Sequence, residues 1–396
     1  MEKLSPRRGS KSLSLLAACT MAVGFEIPSV YAATFDEALT GGKANVDMRL
    51  RYESVDDSTN DDAEALTLRT RLGYMTGDYD NFSAFAEFED VRVALGMDDY
   101  APQNTGFATI ADPEVTELNQ AFIAYQAPSA TKVRLGRQRI ILDNARFVGN
   151  VGWRQNEQTF DALSIVNTSL ADTAITYAFL DKVNGILSSF DADVSDHLLN
   201  VTYSGLGIGA VTAYAYLLED DNTDATNDTY GVRLSGSRMV SEGNKVLYTA
   251  EIASQSTDDN DAIYSFFEGG MSFGGITAKL ALEVLGSDKG AYAFQTPLAT
   301  KHAFNGWADK FLATPADGLQ DLMVSVGGMV AGVKLLGVFH DFSADEGSDD
   351  YGKEMDLLAV KKISKRYTVG AKLASYDADT FSADTDKFWL WGEMNI

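Results

Sequence analysis

The stretch ALTLRTRLGYM, Ala65 to Met75, decides the fold. One parity carries Leu66, Leu68, Thr70, Leu72 and Tyr74, and the other carries Thr67, Arg69, Arg71 and Gly73. A period of two belongs to an extended strand, whose successive side chains point to opposite faces. The same alternation returns far along the chain, where Ile276, Ala278, Leu280, Leu282 and Val284 oppose Thr277, Lys279, Ala281 and Glu283.

Read outward from these two stretches, the pattern predicts strands near 44–55, 65–77, 82–94, 116–127, 131–142, 158–169, 172–183, 196–205, 208–219, 228–239, 245–257, 262–273, 276–287, 320–331, 333–344, 352–364, 367–377 and 386–396. Eighteen is an even number, and each segment is close to the ten residues that a tilted strand needs to cross a bilayer. Tight turns such as Asp78-Tyr79-Asp80-Asn81, Gly205-Leu206-Gly207 and Gly274-Gly275 alternate with longer connections at 95–115, 143–157, 184–195 and 288–319. A soluble β-sandwich or β-helix also has alternating strands. The short-long rhythm and the lack of a fixed repeat length favour an all-β fold, a transmembrane up-and-down antiparallel β-barrel of about 18 strands.

The N-terminus agrees with an outer-membrane destination in a Gram-negative cell. Lys3, Arg7, Arg8 and Lys11 precede a mostly apolar run from Leu13 to Val23, and Val30-Tyr31-Ala32 fits a small-residue cleavage site, which reads as a cleaved signal peptide over 1–32. A short periplasmic segment, 33–43, would lead into one barrel domain, 44–396, because no linker or change of texture divides the rest. Lipoprotein processing at Cys19 is the rival reading, but the apolar run continues past it. Cys19 is the only cysteine, so its loss with the leader removes disulfides, thiolate metal sites and a cysteine nucleophile together. Past residue 33 no run of about 18 apolar residues could form a spanning helix.

The formal net charge is -25, which argues against a nucleic-acid partner. The acidic residues gather in the long connections: Asp56, Asp57, Asp61 and Asp62, then Asp220, Asp221 and Asp224, Asp258, Asp259 and Asp261, and Asp345, Glu346, Asp349 and Asp350. Such runs are usually solvated loop tips. The functional reading is that divalent cations bridge them to anionic lipopolysaccharide, although none has EF-hand spacing and no metal site is assigned. At the C-terminus Phe388, Leu390, Met394 and Ile396 share a parity, resembling the last strand read by the outer-membrane assembly machinery, with Ile396 where an aromatic residue is usual.

Arginine placement then fixes which face is inside. Arg49 and Arg51 oppose Met48, Leu50 and Tyr52, as Arg69 and Arg71 oppose the leucines. A cation at the bilayer midplane costs about 2–4 kcal/mol, so all four are expected to face the lumen. Ten of the thirteen arginines beyond the leader lie between Arg49 and Arg154. If Arg134 faces inward, strict alternation sends Arg137 and Arg139 outward, and a β-bulge at Gly136 is the expected device that re-aims both. A place among the lipid head groups at the rim is the alternative. Arg146 and Arg154 fall in the connection 143–157, for which an exposed loop is the default and an infolded, pore-narrowing loop the alternative. The connection 288–319, with Lys289, Lys301, Trp307 and Lys310, is a second candidate to constrict or cap the pore. About half of the arginines should pair with acids such as Glu53, Glu87 and Glu89. The rest would leave fixed positive charge that selects anions, guanidinium being suited to bidentate carboxylate binding.

The segment RLGRQRIILDNARFVGNVGWRQNEQTFDA, Arg134 to Ala162, resembles the signature region of the alginate export family of outer-membrane β-barrels. The resemblance implies an eighteen-stranded barrel with an arginine-lined passage for an acidic polysaccharide, its passage role falling on Arg137, Arg139, Arg146 and Arg154, and more loosely on Arg49, Arg51, Arg69 and Arg71. The family's secretion channel carries a long periplasmic plug late in the barrel, whereas here the matching connection is only Ser364-Lys365-Arg366. Passive movement of smaller acidic, uronate-type saccharides is therefore the expected function.

An enzyme is disfavoured. His197, His302 and His340 sit in no nucleophile motif, and adjacent His340 and Asp341 occupy opposite strand faces. Gly205-Leu206-Gly207-Ile208-Gly209 lacks the following helix of a nucleotide loop and reads as a hairpin. No cofactor is expected. The competing functions are a general, weakly selective diffusion porin and a closed structural or adhesin barrel.

Overall fold

The computed structural model describes residues 34–396; the expected leader, 1–32, lies outside them. Eighteen strands form one antiparallel sheet that closes on itself, each strand paired with its neighbours in sequence and the first, Lys43–Asp57, paired with the last, Thr385–Asn395. Closure satisfies every edge, the condition for backbone within hydrocarbon. The strands fall close to the sequence-based segments: Ala63–Met75 and Ile276–Leu285, for example, cover the two stretches that set the pattern. The connecting segment before the barrel carries a short helix, Phe35–Thr40, whose N-cap Thr34 and Glu37 form a reciprocal capping box, docked by the Gly77 amide donating to the Ala38 carbonyl.

Two-residue turns such as Gly207-Ile208 and Gly274-Gly275 alternate with longer connections, so the termini and tight turns share one end and the long loops the other. The connection after Lys362 is four residues long before Tyr367, with no room for a plug.

The faces sort as the energetics require. Leu72, Phe88, Ile123, Leu135, Ile252, Leu280 and Leu390 are exposed on the outward parity, a belt whose solvent is lipid, while Arg49, Arg51, Arg69 and Arg71 are buried inside. The cross-strand pairs Arg49 with Arg69 and Leu50 with Leu68 show the two parities staying in register between the first two strands.

The fifth strand corrects an expectation. It runs Thr131–Gln138, ending four residues before the expected 142. Its pairing slips nowhere: Ala121 faces Arg137, Phe122 faces Gly136 and Ala124 faces Arg134. Gly136 has φ +122, and a Cβ there would lie 2.3 Å from the Ala121 carbonyl oxygen. The glycine thus admits a close approach of two strands and is not a bulge. A register slip nearby lies at Glu87/Phe88 against the strand Val115–Ala127, where the extra residue lets both Asn119 and Gln120 turn inward.

Candidate functional site: a lumen narrowed by two infolded loops

The connection 139–158 turns into the lumen instead of standing exposed, and 286–318 does the same from the far wall. A loop inside a barrel must place its carbonyls, because a buried polar group without a partner costs free energy. The lumenal arginines supply donors. Arg49 donates from Nε to Gln155 Oε1 at 2.9 Å, from Nη1 to the Gly152 carbonyl at 3.3 Å, and to the Arg154 carbonyl. Arg51 donates to the Trp153 carbonyl and to Asp112, and Arg71 reaches the Gln155 carbonyl at 3.4 Å. Gln155 completes the seam by donating to Thr67 Oγ1 at 2.8 Å. Arginines on two neighbouring strands thus grip one short run of loop backbone.

Carboxylates neutralise the same cations. Arg154 bonds both oxygens of Glu53, at 3.0 and 3.1 Å, and Asp309 of the second loop at 2.8 Å. Arg146 donates to Glu283 at 2.7 Å and to Asn305 at 2.9 Å. Arg139, released by the end of its strand, turns in to Glu157 at 2.7 Å, which also lies 3.4 Å from Arg71. Arg71 pairs with Glu89, and Arg69 with Asp47. Of the nine arginines singled out in the sequence, eight have a carboxylate within ion-pair distance. The expectation that half would remain unpaired is thereby overturned. Strand residues such as Glu53, Glu89 and Glu283 already give each of the eight a carboxylate, and the connections add Asp112, Glu157 and Asp309.

Arg137 separates from the group. It stays on the outward parity, donating to both oxygens of Asp161 at 2.8 and 3.0 Å and to the Leu118 carbonyl at 3.2 Å. The half-exposed pair sits at the end of the strand on the long-loop side, so its rim placement replaces the lumenal one expected for it. Arg134 faces inward over the Phe122 ring, 5.1 Å from its centroid, and has no carboxylate partner among the described residues.

Aromatic rings lock the two loops together. All four tryptophans lie inside the barrel, while Phe and Tyr side chains supply the outward aromatics. Trp153 of the first loop stacks on His302 of the second, centroids 5.1 Å apart and planes within 5°, and meets Trp389 and Trp391 of the wall edge-on. Lys372 places its ammonium 3.7 Å from the Trp307 ring and 4.3 Å from Trp153, in a cation–π cage, and its Nζ lies 2.6 Å from His302 Nε2. Burial pushes the His302 imidazole down to about 3, with Asp309 only partly opposing it. The neutral ring therefore donates from Nδ1 to Asp309 at 2.6 Å and accepts from Lys372 at Nε2. Burial would raise the carboxyls of Glu157 and Asp309, but the cations around them win. Arg139 and Arg71 hold Glu157 well below the usual range, and Lys387 and Arg154, with the hydrogen bond from the neutral His302 ring, do so for Asp309. Both carboxylates thus keep their charge through the ordinary carboxylate range and above it, and lose it only as pH falls below that range.

The far wall of the lumen is acidic, with Glu251, Glu283, Asp321, Glu354 and Asp356 all buried. Glu354 accepts from the Ala308 amide at 2.7 Å, and Gly306, φ +84, leaves no space for a Cβ, which would meet Glu354 Oε2 at 2.2 Å. His340 bonds Asp321 at 2.9 Å, across the barrel wall from its sequence neighbour Asp341. Among the described residues no group of three or more His, Cys, Asp or Glu side chains is arranged to hold a metal ion.

Of these residues, Gln155, Glu157, Asp112, Asp309, Trp153, His302 and Lys372 escape a reading by parity. Six of them sit in connections, where alternation says nothing, and Lys372 is a single lysine on an otherwise ordinary strand. The tryptophan distribution was the available signal: none falls at a position fitting the outer aromatic girdle.

A closed eighteen-stranded cylinder, apolar outside, charged inside and narrowed by loops from one end, is an outer-membrane β-barrel porin, a channel for passive transport. The chain belongs to the alginate export family, which matches residues 43–294. Its fold is similar to that of OpdK of Pseudomonas aeruginosa, determined with vanillate, at 13% identity and a TM-score of 0.72, covering 90% of this chain and 99% of that one. OpdL of the same organism (14%, TM-score 0.68, 90% and 99%) and OccAB4 of Acinetobacter baumannii (11%, TM-score 0.70, 90% and 98%) are similar as well. No curated protein matches by sequence.

Proposed function

We propose that the channel passes small acidic solutes, uronate-type saccharides among them, passively across the outer membrane. The observation that carries this reading is Arg134, an inward guanidinium on the arginine-bearing arc that no carboxylate neutralises. A fixed charge of that kind favours counter-ions in a confined pore. The family points to acidic saccharides, and OpdK was crystallised with vanillate, a carboxylate. The short connection before Tyr367 and the two infolded loops favour compact solutes over a polymer.

Extensive pairing of the other arginines, with an acidic wall opposite, favours a second reading, a weakly selective diffusion porin. Reconstitution in a planar bilayer under a salt gradient separates the two. The acidic-solute channel gives a reversal potential of anion-preferring sign and a current reduced by glucuronate. Cation preference, or indifference to glucuronate, would remove it. A barrel without conductance would be structural.

A further inference from the structure

Two lumenal cations on one strand lack an ion pair, as does Lys301 in the second infolded loop. Lys132 and Arg134 are the second and fourth residues of Thr131–Gln138, so both point inward. Their cross-strand neighbours are Gln126 and Val166 for Lys132, and Ala124 and Ser164 for Arg134. No acid stands across from either on the neighbouring strands; Asp78, in the turn 76–81, acts on Lys132 electrostatically without pairing with it, and no acid reaches Arg134. Neither side chain makes an ion pair or a hydrogen bond among the described residues, and Arg134 Nε is buried without a partner. Phe122 backs the guanidinium and itself packs on Phe85, centroids 5.5 Å apart, so that side of the site is apolar.

Two like charges set side by side, one of them half-sheltered by an aromatic wall, repel each other, and Asp78 near Lys132 offsets this without an ion pair to either. A wall that neutralises its other arginines so thoroughly leaves this pair bare. A carboxylate lying between them would satisfy both, accepting from the free edge of the arginine fork and from the lysine ammonium. The site lies next to the turn 128–130, on the periplasmic side of the infolded loops.

The geometry points to Lys132 and Arg134 as the anion-binding subsite of the passage, taking a single carboxylate group on a compact solute whose apolar face rests against Phe122. This rests on the acidic-solute reading and moves its selectivity away from the clamped arginines. Arg49, Arg51, Arg71, Arg139, Arg146 and Arg154 hold loops in place, and the free pair meets the solute.

The test is the variant Lys132→Gln with Arg134→Gln in planar bilayers, measured beside the wild type for reversal potential and for block by glucuronate. Neither side chain holds another group, so the barrel should assemble and conduct. Loss of one charge-assisted contact corresponds to block weakened by about tenfold or more, together with loss of anion preference. The variant Lys132→Glu with Arg134→Glu should invert the preference. Wild-type anion preference that survives in both variants overturns the subsite and leaves the acidic-solute channel standing. A wild type without anion preference overturns the channel reading, and the subsite with it.

Discussion

Arg154→Ala should loosen the lumen more than any other single truncation in the clamp. The change strips Glu53 and Asp309 of the cation they share and leaves Glu53 to Arg51 alone and Asp309 to Lys387. Removing one partner from a buried ion pair costs about 3–5 kcal/mol when the remaining charge is stranded, an upper bound here because Arg51 and Lys387 remain. The barrel's strand ladder does not depend on Arg154, so the cost falls on the docking of the two loops. Single-channel conductance should rise, and protease added from the long-loop side should cut within 139–158, where the wild type resists. Arg154→Lys should fall between, since it keeps the charge and loses the two-pronged contact. Unchanged conductance and protection in Arg154→Ala would show that the loop is held by other means.

Leu280→Arg should be the most damaging change on the outer wall. Leu280 is exposed on the lipid-facing parity midway along Ile276–Leu285, opposite Gly269 and Val324. A cation there costs about 2–4 kcal/mol near the bilayer midplane. Ser325→Arg, on the neighbouring strand but facing inward beside Lys279, should cost far less, since water and the Glu268 carboxylate are within the lumen. Urea titrations of folding into lipid vesicles compare the two. Equal midpoints, or a more stable Leu280→Arg, would mean that the faces are assigned the wrong way round.

Much of this molecule is legible in one dimension because a barrel wall repeats one rule. Each strand must show lipid an apolar face, and the alternation that records it survives from Ala63–Met75 to Thr385–Asn395. The orientation of Arg49, Arg51, Arg69 and Arg71 follows from the same rule. It fails at Arg137, where a bulge is the natural inference if a guanidinium must avoid lipid, yet Asp161 and the Leu118 carbonyl meet it at the rim. The slip at Glu87/Phe88, one of several in the barrel, leaves no mark in residue type. The clamp is less legible still. Arg146 and Glu283 are 137 residues apart, and Arg154 and Asp309 are 155 apart, so no local pattern can pair them. A sequence shows that arginines are gathered and that acids exist; strand register pairs Arg71 with Glu89 and Arg137 with Asp161, and the infolded loops bring Arg146 and Arg154 to Glu283, Glu53 and Asp309. Lys132 illustrates the converse, being an unremarked lysine until its neighbours prove to be neutral.

The grip of the wall arginines on the loop 139–158 underlies every other conclusion, and its most direct test is a crosslink between Thr67 and Gln155, whose side chains meet at 2.8 Å. In a Cys19→Ser background, cysteines at 67 and 155 should join on oxidation, or with a short bifunctional thiol reagent, in barrels assembled in outer membranes, and conductance should persist. Failure to join, with both thiols open to a water-soluble reagent, would place the loop outside the lumen and contradict the account.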